Sequence, residues 1–115
     1  MRHGGWVDKT GFYQDNNNWW YGLVTQTYTW GGAQNWSIFA PQRTTHLANA
    51  WSMGIADILQ LDFDKDGSKD HTMIVTKKDS NNIYLTYHTN DHINRPMTEL
   101  QTLYSNSAWW YSYRT

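Results

Sequence analysis

The sequence contains no cysteine, only two prolines among 115 residues, and no apolar run of membrane-spanning length. Without cysteine the chain can hold no disulfide, no thiolate metal site and no thiol nucleophile of its own. A membrane helix needs about 20 predominantly apolar residues, and the apolar stretches here are far shorter. The opening Met1-Arg2-His3-Gly4-Gly5 lacks the apolar core of a signal peptide. Charge is also sparse: charged residues are 17% and the net charge is −1, with no basic stripe. That excludes a charge-driven partnership with nucleic acid or an anionic membrane surface.

Aromatic residues are plentiful at 17%, with eight Trp and eight Tyr, beside many Asn, Thr, Ser and Asp and few Leu, Ile or Val. This is the composition of an extracellular protein. A chain of 115 residues is expected to form one domain spanning 1–115. Such a domain buries roughly two thirds of the surface its unfolded form exposes.

Residues 1–54 show no sustained period of two and read as a long aromatic-rich loop region with short helices. The segment Thr44 to Trp51 predicts a helix with Thr44 as N-cap, because Leu47, Ala48, Ala50 and Trp51 fall near one face. A second short helix is predicted from Ala33 to Phe39, and Pro41 separates the two. From Ile55 the pattern becomes strand-like. Residues 57–63 predict one strand, His71 to Lys77 a second, and Ile83 to His88 a third with clear period-two alternation. The turn between the last two is Lys78 to Asn82. Pro96 begins a turn into Met97-Thr98-Glu99-Leu100, and Trp109 to Arg114 reads as a closing strand. The fold class is therefore α+β with an antiparallel sheet.

His71 opens one predicted strand and His88 closes the next, so a hairpin turning at 78–82 brings the two histidines to the same end of the sheet. In nucleophilic catalysis an imidazole takes the proton from the nucleophile while a third polar residue holds its tautomer and orientation. His88 or Asn90 would serve as that third residue. On spacing alone, two histidines at strand ends are more often solvated or structural.

Specific strings narrow the choice. Ala56-Asp57-Ile58-Leu59-Gln60-Leu61-Asp62-Phe63-Asp64-Lys65-Asp66-Gly67, then Asp70-His71-Thr72-Met73-Ile74-Val75-Thr76-Lys77 and Tyr84-Leu85-Thr86-Tyr87-His88-Thr89-Asn90-Asp91, resemble the bacterial putative amidase domain. Trp19-Trp20-Tyr21, Trp30 to Trp36 and Tyr113-Arg114 match as well, so the resemblance covers nearly the whole chain. It implies a papain-like fold close to the secreted cell-wall hydrolases, and amide bonds of peptides or peptidoglycan as substrate. It also implies a secreted or cell-wall-associated complete protein and a cysteine nucleophile at the start of a helix. His71 matches the family's general base, and His88 or Asn90 its third residue. No residue matches the cysteine. The expectation is a domain truncated of its N-terminal catalytic helix, or a degenerate copy, that is hydrolytically inert alone. Loss of that helix would uncover a sheet face, which predicts marginal stability or self-association. A second departure is Ala56, where the family usually has Gly.

Asp62-x-Asp64-x-Asp66-Gly67 has the first half of a calcium-loop pattern, but Met73 stands where the bidentate Glu is required. An acidic hairpin turn with no cofactor is the preferred account, and calcium on Asp62, Asp64 and Asp66 the alternative. The Trp residues invite a sugar-stacking reading, yet in a chain short of Leu and Val they must also build the core. Trp30 and Trp36, in a Gly-rich segment, are the candidates for lining a substrate cleft. His3, His46 and His92 read as solvated surface residues, and Lys77-Lys78 as a solvated strand end. Two further functions compete with the amidase reading. One is a non-catalytic module binding cell-wall glycan or peptide through an aromatic cleft; the other is a structural domain stabilised by calcium.

Overall fold

The computed structural model describes residue 19, residues 27–88 and residues 90–115. The chain falls into two compact units, Met1–Arg43 and Thr44–Thr115. In the first, α1 (Tyr28–Gly31) and α2 (Ala33–Phe39) are followed by a 3-10 turn at Ala40–Gln42. Gly32 separates the helices in extended conformation, and a Cβ there would run into Asn35 Oδ1. Thr27 and Thr29 are buried, their hydroxyls 2.8 Å apart. The Trp19 ring meets Trp30 and Phe39 edge-on, at centroid separations of 5.5 and 6.4 Å. The predicted helix Ala33–Phe39 is thus present. Pro41 ends it by entering the 3-10 turn near its start, where a missing N–H leaves no bond unmade.

The second unit is a six-stranded sheet in the order β1-β6-β2-β3-β4-β5, antiparallel throughout. Its strands are β1 (Thr45–Leu47), β2 (Ile58–Asp62), β3 (His71–Lys78), β4 (Ile83–Tyr87), β5 (His92–Pro96) and β6 (Trp109–Arg114), with α3 (Met97–Tyr104) between the last two. Four of these strands lie where alternation and apolar content predict them. The α+β class with an antiparallel sheet holds.

Two elements differ from the sequence expectation. The helix predicted over 44–51 is instead β1 followed by a 3-10 turn at Ala50–Ser52, capped by Asn49, whose Oδ1 accepts from Trp51 N at 2.9 Å. Residues 45–47 find ladder partners in Arg114, Tyr113 and Ser112 of β6, and Ser112 Oγ donates to Leu47 O at 3.1 Å. Those bonds outweigh the small helix preference of a few residues. The turn predicted at Pro96 is the N-cap of α3, which buries Met97 and Leu100 one turn apart. Met97 and Leu100 pack into one core with Met53, Leu59, Leu61, Met73, Val75, Ile83 and Leu85, all 1% exposed or less. All five residues of β2 are buried.

The approach to β2 is clamped by Asp57, whose side chain is 4% exposed. Its Oδ2 accepts from Gly54 N at 2.8 Å and Arg114 Nε at 2.7 Å, and its Oδ1 accepts from Thr115 N at 3.0 Å. One carboxylate therefore ties the 54–57 turn to the end of β6. Immediately before it, Ala56 sits at φ 75°, a region costing a side-chain-bearing residue about 1–2 kcal/mol. Ala56→Gly is expected to raise stability by about 0.5–1 kcal/mol, the relief exceeding the added unfolded-state freedom of Gly. Urea titration of both proteins measures this; an unchanged or lower midpoint would contradict the strain assigned to Ala56.

Candidate active site

His71 is the first residue of β3 and lies opposite Leu61 of β2, on the face that carries Met73 and Val75 into the core. The loop that delivers it is built by its own carboxylates. Asp62, buried, accepts from Lys65 N at 2.7 Å and Gly67 N at 2.8 Å. Asp66 Oδ1 accepts from Ser68 N at 2.7 Å, and Asp70 Oδ2 accepts from Phe63 N at 2.8 Å. Gly67 has φ 95°, a backbone conformation only Gly adopts readily, so the loop requires it there. Asp70 N then donates to Leu61 O at 2.9 Å and sets His71 into the ladder.

The His71 ring is half-buried. Phe63 stacks near it at a centroid distance of 6.3 Å, and Tyr87 meets it edge-on at 4.9 Å. Burial holds its pKa below the ordinary 6.5 of histidine, so the ring is neutral at neutral pH and able to accept a proton. It faces a cavity of about 330 Å³ floored by Leu61, Met73 and Leu100 and walled by Phe63, Tyr87 and Tyr104. The polar groups converging there are Asp70, His71, Asn90, His92 and Arg95. A neutral imidazole at the wall of a cavity lined by both apolar and polar groups can act as a general base toward a bound nucleophile.

Of the two candidate third residues, Asn90 lines this cavity and His88 does not. The reason is parity. Successive strand residues point to opposite faces; Leu85 and Tyr87 share the His71 face, so His88 falls on the other side. Its side chain is fully exposed, with Nδ1 2.8 Å from Asp91 Oδ1. Asn90 turns toward the cavity from a loop in which it has φ 57° and Asp91 φ 45°, conformations that Asn and Asp tolerate. Neither His88 nor Asn90 is hydrogen-bonded to the His71 ring among the described residues.

Carboxylate oxygens of Asp62, Asp64 and Asp70 lie within 4.8 Å of one another. Asp70 thus stands in the grouping where the sequence pattern put Asp66. Trp36 is buried in α2, and Trp30 is half-buried against Trp19. His46 is exposed, its ring edge-on to Tyr113 at 5.6 Å. His3 lies outside the described residues. Lys77 and Lys78 are exposed as expected, though Lys78 Nζ donates to Met53 O at 2.7 Å. His92, read from sequence as solvated, is half-buried, with its ring 4.9 Å from Tyr87. Arg95, on β5, also lines the cavity. Its strand has one apolar residue in five and no alternation, so nothing in the sequence marks Arg95 as facing inward. No curated protein and no solved structure matches the chain. A family model does match it, over residues 1–113, and on that match the chain belongs to the Putative amidase domain family.

Proposed function

We propose that this chain carries the base-and-orienter part of a papain-like cysteine amidase acting on amide bonds of peptides or peptidoglycan. The observation that carries the reading is His71: a half-buried imidazole, its pKa lowered by burial, at the wall of a cavity large enough for a short peptide. Family membership supports the amide chemistry. Asn90 is the preferred third residue, because it shares the cavity with His71. The nucleophile is a cysteine on a helix outside these 115 residues, since none of them is cysteine. In the complete enzyme His71 takes the thiol proton and the thiolate attacks the amide carbonyl. The C–N bond then breaks as His71 returns the proton to the leaving amine. Water activated by the same ring hydrolyses the thioester and frees the cysteine. The complete protein is secreted or cell-wall associated, and the chain alone is hydrolytically inert. Amide hydrolysis by the purified chain that disappeared in His71→Ala would sink the inert reading.

A second reading, a binding module for cell-wall glycan, draws on a different groove. Trp51 and Trp110 line about 350 Å³ of space with Asn49, Gln101 and Ser105, an aromatic-and-amide lining suited to sugar rings. Quenching of tryptophan fluorescence by peptidoglycan fragments, lost in Trp51→Ala with no change in the His71 signals, would favour it.

The 62–70 loop is assigned as an acidic turn held by its own backbone N–H groups. Its melting temperature is expected to stay fixed in millimolar calcium or chelator. A rise with calcium, lost in Asp64→Asn, would instead give Asp62, Asp64 and Asp70 a ligand role.

A further inference from the structure

Arg95 is a cation on the inner side of an edge strand. It lies opposite Leu85 in the ladder, and its side chain is only 22% exposed, while that of its partner Glu99 is 58% exposed. Its Nε donates to Glu99 Oε2 at 3.1 Å, and its Nη1 donates to the Tyr87 hydroxyl at 2.7 Å. Donors are left over among the described residues. Nη2 of Arg95 has no protein acceptor, and the Tyr87 oxygen, already accepting from Arg95, retains its own O–H. Both side chains line the His71 cavity, and the Tyr87 ring stands against His71 at 4.9 Å. The opposite charge in the lining, Asp70, is held by Phe63 N on the β2–β3 loop.

We propose that Arg95 and Tyr87 form a carboxylate-reading pair, so that the substrate carries a carboxylate within a few bonds of the amide presented to His71. The inference rests on the cavity being the amide-binding site. A planar guanidinium whose position is already fixed, beside a phenol proton, matches a carboxylate in geometry and charge. One aromatic ring separates this pair from the imidazole, which places the recognised anion on a side chain next to the scissile bond. The alternative role for Arg95 is structural: an inward charge that blunts an edge strand and a tether from β5 to α3. The two roles separate by experiment. A tether affects all ligands alike, whereas a carboxylate reader distinguishes an acid from its amide.

The test follows the His71 imidazole signals of the intact chain by NMR during titration with N-acetyl-glutamyl-alanine amide and with N-acetyl-glutaminyl-alanine amide. The acidic peptide is expected to bind at least about tenfold more tightly, the scale of one charge-assisted contact. Arg95→Gln should abolish that preference, and Arg95→Lys should restore it only in part. If Arg95→Gln fails to fold, Tyr87→Phe keeps the guanidinium and should cut the preference several-fold. Equal binding of both peptides, no perturbation of His71 by either, or an acid preference that survives these substitutions overturns the proposal. An acid preference with no hydrolysis after a cysteine helix is supplied overturns the amidase reading and leaves the carboxylate site standing. Hydrolysis without acid preference does the reverse.

Discussion

Once a cysteine-bearing helix is supplied and amide hydrolysis is established, His71→Ala is expected to lower kcat/KM by about 10²–10⁴-fold, the usual contribution of a positioned general base. The cavity should survive the change, since its floor is the shared core of Leu61, Met73 and Leu100. The pH profile adds a sharper check. Burial lowers the His71 pKa below 6.5, so the rising acid limb of kcat/KM should have its midpoint below that of a free histidine. The same shift links folding to pH with a definite sign. Between the folded pKa and 6.5 the unfolded chain holds a proton that the folded chain does not, so stability rises with pH through that window. It is lost as pH falls toward the folded pKa. His71→Gln should flatten that dependence, and an acid limb centred above 6.5 would contradict the burial.

Asp57→Ala is expected to cost roughly 3 kcal/mol, which places it among the more damaging single changes in the chain. Its carboxylate receives three donors while almost fully buried. Truncation leaves the N–H groups of Gly54 and Thr115 without their acceptor. Arg114, half exposed, can be rehydrated, so the loss stays below that of a fully buried ion pair. Asp57→Asn keeps the shape and one acceptor and should cost less. Chemical denaturation of the three proteins measures the series; an Asp57→Ala loss under about 1 kcal/mol would mean the clamp is dispensable.

The strands most legible in the sequence are those with alternating or continuous apolar residues, namely β2, β3, β4 and β6. Pairing at the edges was not legible. β1 is three residues whose partner lies 65 or more positions away in the chain, and β5 carries Ile93 exposed and Asn94 at φ 52°. Asn94 N donates to Thr86 Oγ1 at 3.1 Å, away from the regular ladder. Such an irregular edge has no periodic signature. The same limit governed the site. The sequence offers His71 with His88 or Asn90 as candidates, and the hairpin joining β3 to β4 is present. What spacing left undecided was the face, because a shift of one residue sends a strand side chain to the other side of the sheet. That single position separates Tyr87, against His71, from His88, in solvent. Arg95 and His92 reach the cavity only because β5 pairs with β4. At Ala56 the resemblance implies Gly, and the φ of 75° found there is a conformation that favours Gly over a residue with a side chain.

The role of His71 as base is tested by a burst of amide cleavage by the chain fused to a family helix bearing its cysteine, monitored by mass spectrometry for the acyl-enzyme. A thioester on that cysteine is expected to form in the fused protein and to be absent in its His71→Ala form, while the chain alone gives none. Acyl-enzyme that forms equally well without His71, or hydrolysis by the chain with no added cysteine, would contradict that expectation.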